Sequence, residues 1–102
     1  MATLEQITGR MRMAVGDDSG LGKSLKLDMG ETGVVFIDGG TVSNEDKPAD
    51  LIMTISIDDL VLMGDGQLNA MTAVMSGRLH FSDVGLAMKL QSAMTTLFSR
   101  LN

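Results

Sequence analysis

Residues 51–63, with the sequence LIMTISIDDLVLM, change from one hydrophobic period to another. Every second side chain in 51–57 is apolar and the positions between include Thr54 and Ser56, a pattern that predicts a strand with one strongly apolar face. Ser56 can then cap a short helix that stops at the turn formed by residues 64–66. A buried strand that leads directly into an apolar helix predicts that a sheet and helices share one core.

The chain before this segment predicts one helix and three short strands. Thr3 and Gln6 fit a capping box, and apolar side chains then recur at helical spacing as far as Gly16. Alternating residues predict strands over 24–29 and 34–38, and a third short strand follows at 41–43. Because short glycine-bearing turns join these strands, we expect an antiparallel meander, followed by a polar loop.

The chain after this segment predicts a short helix over 70–75, a strand over 78–81 and one long helix from about Asp83 to the chain end. The order of elements predicts an α+β fold: a five-stranded, mostly antiparallel sheet with helices covering one face. The opposite face of the sheet, which includes Lys26 and His80, is expected to meet water. Residues 1–102 are interpreted as one domain.

Composition excludes several classes of function. The chain has no cysteine, so disulfides, cysteine-based zinc sites and thiol chemistry are excluded. A net charge of −5 and scattered basic residues argue against nucleic-acid binding. No run approaches the ~18 apolar residues of a membrane span. Residues 1–15 do not resemble a secretory signal and residues 100–102 do not form a peroxisomal signal, so a cytoplasmic location is expected.

Catalytic, nucleotide and metal motifs fail on spacing or context. Residues 20–24, GLGKS, lack the first glycine of a phosphate-binding loop, and a strand pattern rather than a helix follows them. The acidic stretches 38–46 and 58–65 do not have calcium-loop spacing. His80 is the only histidine and alternates with apolar neighbours, as expected for a solvent-facing strand residue. We therefore expect no enzyme activity, metal or cofactor, and a hydrolase that uses His80 remains a competing hypothesis.

Several segments resemble the sterol carrier protein 2 family. They are 48–50 (PAD) before an apolar strand, 56–60 (SIDDL), 66–69 (GQLN), 73–79 (AVMSGRL) and, most specifically, 85–91 (GLAMKLQ), which is similar to the start of that family's last helix. The resemblance implies a five-stranded sheet covered by helices, with an apolar tunnel between the layers. It also implies a non-catalytic function: binding sterols, fatty acids, acyl-CoA or phospholipids and moving them between membranes. Residues 74–76 depart from the family's frequent Phe-Phe pair, so the ligand preference of better-known members is not transferred.

The expected partner is a lipid or another long apolar molecule, with transient membrane contact and a free-standing monomeric protein. The predicted tunnel lining consists of Leu60, Met63, Met71, Val74, Met75, Leu86, Leu90, Met94, Leu97 and Phe98. The simpler interpretation is that these apolar residues only pack against the sheet. The chain contains ten methionines among 102 residues. This content is compatible with a tunnel lining and with a packed core, since methionine fills irregular cores and also lines adaptable sites. An alternative function is a protein-interaction module that presents its C-terminal amphipathic helix to a partner.

Overall fold

The computed structural model describes residues 2–101, which form five α-helices, a single 3₁₀ turn (Gly30–Thr32) and five strands. The helices are α1 (Leu4–Val15), α2 (Ile57–Gly64), α3 (Ala70–Met75), α4 (Val84–Lys89) and α5 (Gln91–Ser99), and the strands are β1 (Leu25–Asp28), β2 (Val34–Asp38), β3 (Thr41–Ser43), β4 (Leu51–Ile55) and β5 (Leu79–Phe81). The predicted α+β fold with a five-stranded sheet is confirmed.

The strands lie in the order β3-β2-β1-β4-β5, with β1 at the centre. Three of the four pairings are antiparallel, as expected for a mostly antiparallel sheet, and β1 pairs with β4 in parallel. The parallel pair places Leu25 beside Leu51 and Leu27 beside Met53, all fully buried. The sheet is therefore mixed, because the chain crosses from the edge strand β3 past β1 before it enters β4.

A single apolar face of the sheet forms the floor of the core. The buried residues that share this face in register are Leu25, Leu27, Val35, Ile37, Val42, Leu51, Met53, Ile55 and Leu79. Helix α1 packs onto this face through Ile7, Met11 and Val15, all buried. The capping box that starts α1 is confirmed, since the Gln6 N–H donates to Thr3 Oγ1 and the Thr3 N–H donates to Gln6 Oε1.

The opposite face of the sheet is only partly in water, which corrects the prediction. His80 and its cross-strand neighbour Thr54 are exposed, but Phe36 is only 5% exposed. The loop between β3 and β4 covers this phenyl ring: Lys47 Nζ lies 4.8 Å from the ring centroid. The same loop bonds to the sheet where Lys26 Nζ contacts Asp46 Oδ1 at 2.8 Å. The loop from β3 to β4 therefore shields Phe36 from water, although the alternating pattern of the strand alone would place this side chain in solvent.

The predicted long C-terminal helix is wrong as a single element. It bends at Leu90, whose backbone angles of φ −94° and ψ 3° lie outside the helical range, and this bend separates α4 from α5. Helical hydrogen bonds continue through the bend, from the Leu90 N–H to Leu86 O and from the Met94 N–H to Leu90 O. Because α5 packs against both α1 and α2 while α4 packs mainly on α5, the bend lets each piece follow its own part of the core.

Strand β4 also ends earlier than the alternating pattern suggests. Ile57 is the first residue of α2 rather than the end of a strand. Ser56 ends the strand because its hydroxyl accepts a hydrogen bond from the Asp59 N–H at 3.1 Å and so caps α2. Apolar alternation continues through Ile57 only because the helix turns that residue toward the same core.

Candidate functional site

A cavity of about 580 Å³ lies between the end of the sheet and the helices α2, α3 and α5. Its volume falls in the range of about 300–1,000 Å³ that is typical of small-molecule sites. The cavity is lined by Met53, Met63, Gly64, Gly66, Leu68, Asn69, Ala70, Met71, Leu79, Phe81, Gln91, Met94, Thr95, Phe98 and Ser99. Strands β4 and β5 supply one wall, and the segment from α2 to α3 and one side of α5 supply the others.

The inner part of this cavity is apolar. Met53 and Leu79 project from the sheet and are buried, and Met94 and Phe98 face them from α5. Leu68, also buried, follows the turn at Gly66 that ends α2 and leads into α3. Together with the half-buried Phe81, these walls combine flexible thioethers with two phenyl rings, a surface that can adapt to guests of different shape.

The outer part of the cavity carries neutral polar groups. Asn69, Gln91, Thr95 and Ser99 are exposed. Asn69 is held in place because its side-chain oxygen accepts a hydrogen bond from the Met71 N–H at 2.8 Å and caps α3. None of the described residues that line the cavity is ionisable. Such a site can bind an apolar chain inside and offer hydrogen bonds at the mouth, but its walls provide no acid, base or charged nucleophile.

Four of the ten predicted lining residues meet at this cavity: Met63, Met71, Met94 and Phe98. The structure places the other six elsewhere. Leu60 and Leu97 are buried in the core, and Leu86 and Leu90 are half-buried against it.

Val74 and Met75 lie outside the cavity and are exposed by 47% and 83%. We expected α3 to cover the sheet with these side chains, and that placement is not what the structure shows. A helix of only six residues turns one side inward, and here Ala73, fully buried, occupies that side. The residues on the opposite side consequently remain in solvent.

The sequence interpretation missed several lining residues. Met53, Leu79 and Phe81 were recognised only as strand residues, although their shared face could have indicated the wall of a cavity at the sheet end. Gln91 and Thr95 carry no apolar signal, so periodicity gives no reason to select them. Both lie on α5, whose separate start after Leu90 the sequence pattern does not predict.

A second hollow of about 380 Å³ lies on the other side of α5. Its lining is more polar and consists of Asp18, Ser19, Gly20, Ser92, Ala93, Thr96 and Arg100. Arg100 also donates a hydrogen bond from Nη1 to Ala14 O at 3.3 Å, which joins the end of α5 to α1. Helix α5 therefore separates an apolar cavity from a polar hollow.

The residues considered for chemistry do not converge on either space. His80 is exposed and lies opposite Thr54, outside both linings. Residues 20–24 lead into β1 and no helix follows them. Within residues 2–101, no group of three or more histidine, aspartate or glutamate side chains is arranged to hold a metal ion. Over the same residues, no helix is both long enough and apolar enough to span a membrane.

One carboxylate has a shifted pKa, and it lies at the start of β4 rather than at the cavity. Backbone and side-chain hydrogen bonds from Ser24 hold the pKa of Asp50 below its ordinary value, with a smaller contribution from the nearby charge of Lys23. The Ser24 N–H and hydroxyl both donate to Asp50 Oδ2, and the Asp50 N–H donates back to Ser24 Oγ at 2.8 Å. This reciprocal set of bonds fixes the start of the parallel β1–β4 pair.

The fold and the cavity together define an α+β protein with an apolar cavity between a mixed sheet and its helical cover. The model of the SCP-2 sterol transfer family matches residues 1–95, and the chain belongs to this family. The resemblance drawn from the sequence segments is thereby confirmed.

Sequence relatives agree with this assignment, and a solved structure shares the fold. The chain is 39% identical to hydroxysteroid dehydrogenase-like protein 2 of Danio rerio over 67 residues, which cover 63% of this chain and 16% of the relative. It is 40% identical to sterol carrier protein 2 of Bos taurus over 55 residues, 53% of this chain and 10% of the relative. The chain thus corresponds to a small part of these longer proteins.

A structural comparison shows a shared fold. The crystal structure of sterol carrier protein 2 like 2 from Aedes aegypti superposes on this chain with a TM-score of 0.74 at 21% sequence identity. The superposition covers 87% of this chain and 94% of that structure.

Proposed function

We propose that this domain binds a lipid with a long apolar tail in the cavity between the sheet and α5, and transfers it without chemical change. The observation that carries the proposal is the cavity lining: an apolar, methionine-rich interior, neutral polar groups at the mouth and no ionisable side chain among the described lining residues. Membership of a sterol transfer family supports the same function. Four of the residues predicted from sequence, Met63, Met71, Met94 and Phe98, form part of the proposed binding surface.

The driving force for binding is the removal of methylene groups from water. Each buried CH₂ contributes about 0.8 kcal/mol, so a tail of about 16 carbons offers roughly 10 kcal/mol before the entropic costs of binding. A net affinity in the micromolar range, about −8 kcal/mol, is consistent with this driving force. The polar headgroup remains at the mouth, where Asn69, Gln91, Thr95 and Ser99 offer hydrogen-bonding groups.

Titration with a fluorescent long-chain fatty acid, followed by competition with unlabelled lipids, tests the proposal. We expect saturable binding with a Kd of about 1 μM or tighter. Absence of binding for fatty acid, sterol and phospholipid alike would exclude the function.

The variants Thr95→Trp and Thr96→Trp provide a matched pair of changes on adjacent positions of α5. Both threonines are exposed, but Thr95 lines the apolar cavity whereas Thr96 lines the polar hollow on the other side of the helix. Thr95→Trp should fill the mouth and weaken fatty-acid binding about tenfold or more, a loss of roughly 1.4 kcal/mol. Thr96→Trp should retain the affinity of the original protein, and equal losses in both variants would contradict the proposed location.

The alternative, a module that presents its C-terminal helix to a partner protein, is not favoured. Met94, Leu97 and Phe98 of α5 are buried in the chain's own core, so the apolar side of this helix is already occupied. A hydrolase that depends on His80 is likewise a poorer explanation, since this exposed side chain lies outside the cavity. An esterase activity abolished by His80→Ala would reverse that judgement.

A further inference from the structure

Helix α3 presents an apolar surface to solvent at the edge of the cavity. We call Met71, Val74 and Met75 the α3 stripe; they are spaced three and four residues apart and so lie on one side of the helix. Their exposed fractions are 70%, 47% and 83%, whereas Ala73 on the inner side is fully buried. Large apolar side chains left together in water mark interaction sites more often than scattered ones do.

The α3 stripe is continuous with the cavity. Met71 belongs to both: it lines the cavity and is also largely exposed. An apolar path therefore leads from Met75 through Met71 to the buried Leu68 and Met94 without crossing a charged side chain among the described lining residues. A surface joined to the cavity in this way is suited to the exchange of an apolar ligand.

Charge is unevenly divided along the chain, and the α3 stripe lies in its last 37 residues, 66–102, which contain a single acidic residue. Residues 1–65 contain twelve acidic and five basic side chains, whereas residues 66–102 contain one acidic and three basic ones. The two parts carry −7 and +2, which together give the net charge of −5. Within 66–81 the only charged residue is Arg78, which is exposed. This distribution suits contact with a surface of phosphate headgroups, which repels carboxylates and attracts arginine.

The area of the stripe argues against a stable protein partner. Three partly exposed side chains offer on the order of a few hundred Å² of apolar surface. A stable protein interface needs about 800 Å² from each partner. A bilayer requires no shape complementarity, and shallow insertion of a few apolar side chains gives the weak, reversible attachment that a lipid carrier needs.

We infer that the α3 stripe docks the mouth of the cavity on the surface of a phospholipid bilayer, so that a lipid passes between membrane and cavity beside Met71. This inference rests on the proposed lipid-carrier function and adds the surface through which the ligand enters. It makes Val74 and Met75 membrane-contact residues rather than lining residues.

Vesicle co-sedimentation of the whole chain tests the inference with two matched substitutions. Met75 and Met13 are exposed to the same degree, 83% and 85%, but Met13 lies on α1, away from the cavity lining. Met75→Asp and Met13→Asp each replace an exposed methionine by one negative charge. With vesicles of phosphatidylcholine and phosphatidylserine, we expect binding of Met75→Asp to fall about tenfold and binding of Met13→Asp to change less than about twofold.

Fatty-acid titration without vesicles separates this inference from the proposed function. Because Met75 lies outside the cavity lining, Met75→Asp should keep its fatty-acid affinity in solution while transferring the ligand to vesicles more slowly. If the chain binds vesicles through the stripe but binds no lipid in solution, the proposed function would be excluded and the docking surface would still stand.

Absence of vesicle binding by the unaltered chain, or equal losses of vesicle binding in Met75→Asp and Met13→Asp, would overturn the inference. A dimer in size-exclusion chromatography that Met75→Asp abolishes would also overturn it, because the stripe would then bind a second copy.

Discussion

Asp50 and Ser24 connect two segments that are far apart in sequence, and their hydrogen bonds make stability depend on pH. Each residue donates to and accepts from the other at the point where the parallel pair of β1 and β4 begins. Because these bonds favour the ionised carboxylate, the pKa of Asp50 is lower in the folded state than its ordinary value of 3.8. The carboxylate therefore stabilises the fold at pH values above 3.8, and this contribution is lost as the pH falls through the lowered pKa.

We expect Asp50→Asn to be less stable than the original chain at neutral pH. The difference should shrink as the pH falls below 3.8 and through the lowered pKa of Asp50, where the carboxylate itself becomes protonated. Urea denaturation at a series of pH values measures the difference. Glu31→Gln is the control, since this exposed residue lies in the turn after β1 and has no described side-chain hydrogen bond. A stability gap for Asp50→Asn that is constant or grows on acidification would contradict the assignment of the lowered pKa to Asp50.

At the scale of single residues, sequence periodicity predicts burial better than it predicts the lining of the cavity. The helical spacing of Met94 and Leu97 predicts that they face inward, and both are buried. Spacing could not distinguish a side chain that packs in the core from one that lines a cavity, because both are apolar and face inward. Gln91 and Thr95 could not be found in this way, since a polar side chain at a cavity mouth has the same sequence pattern as one on an outer surface.

At the scale of elements, two glycines in different environments predict opposite effects of the same substitution. Gly9 lies inside α1, and a Cβ added there meets no atom within 4 Å. Gly40 lies in the turn between β2 and β3, where an added Cβ would overlap the carbonyl oxygen of Asp17. This turn also receives a hydrogen bond from the Ser19 N–H to Gly39 O at 2.9 Å, so the loop after α1 is packed closely against it.

We expect Gly9→Ala to stabilise the protein by roughly 0.5–1 kcal/mol through lower backbone entropy of the unfolded chain and better helix propensity. Gly40→Ala should destabilise it by roughly 1–3 kcal/mol, because a backbone oxygen must move to admit the methyl group. Thermal unfolding measures both, with shifts of a few degrees in opposite directions. Shifts of the same sign would show that the close contact between the two loops is not maintained in solution.

Most elements were predictable because each has a local signal. Capping residues and a change of period mark the starts of α1, α2 and α3, and alternation marks the strands. The bend at Leu90 and the coverage of Phe36 were not predictable, since both depend on contacts with distant segments. The local sequence around Leu90 and Phe36 therefore contains no pattern that predicts the bend or the burial of the ring.

At the scale of the whole molecule, a cavity that binds by burial of methylene groups predicts a dependence on chain length. We expect the Kd of saturated fatty acids to fall about fourfold for each added CH₂, which corresponds to about 0.8 kcal/mol, until the cavity is filled. Beyond that length the Kd should level off, because further methylenes stay in water. Calorimetry should show a negative heat-capacity change on binding throughout the series. A Kd that does not vary with chain length would indicate that the headgroup alone is recognised.

The overall arrangement was recognisable from sequence because several segments occur in the order and spacing of one family, and the family match over residues 1–95 agrees with it. The parallel pairing of β1 with β4 has no comparable local signal. It follows from the path of the chain across the sheet rather than from the residues of either strand.

The position of α5 between two hollows has a consequence for the lipid-carrier function proposed above. Because the helix is a wall of both spaces, a sideways displacement that enlarged the space beside Met94 would reduce the space beside Ala93 on its other side. The hydrogen bond from Arg100 Nη1 to Ala14 O ties the end of this shared wall to α1. We therefore expect the largest guest of the proposed carrier to depend on the volumes of both hollows rather than on the cavity alone.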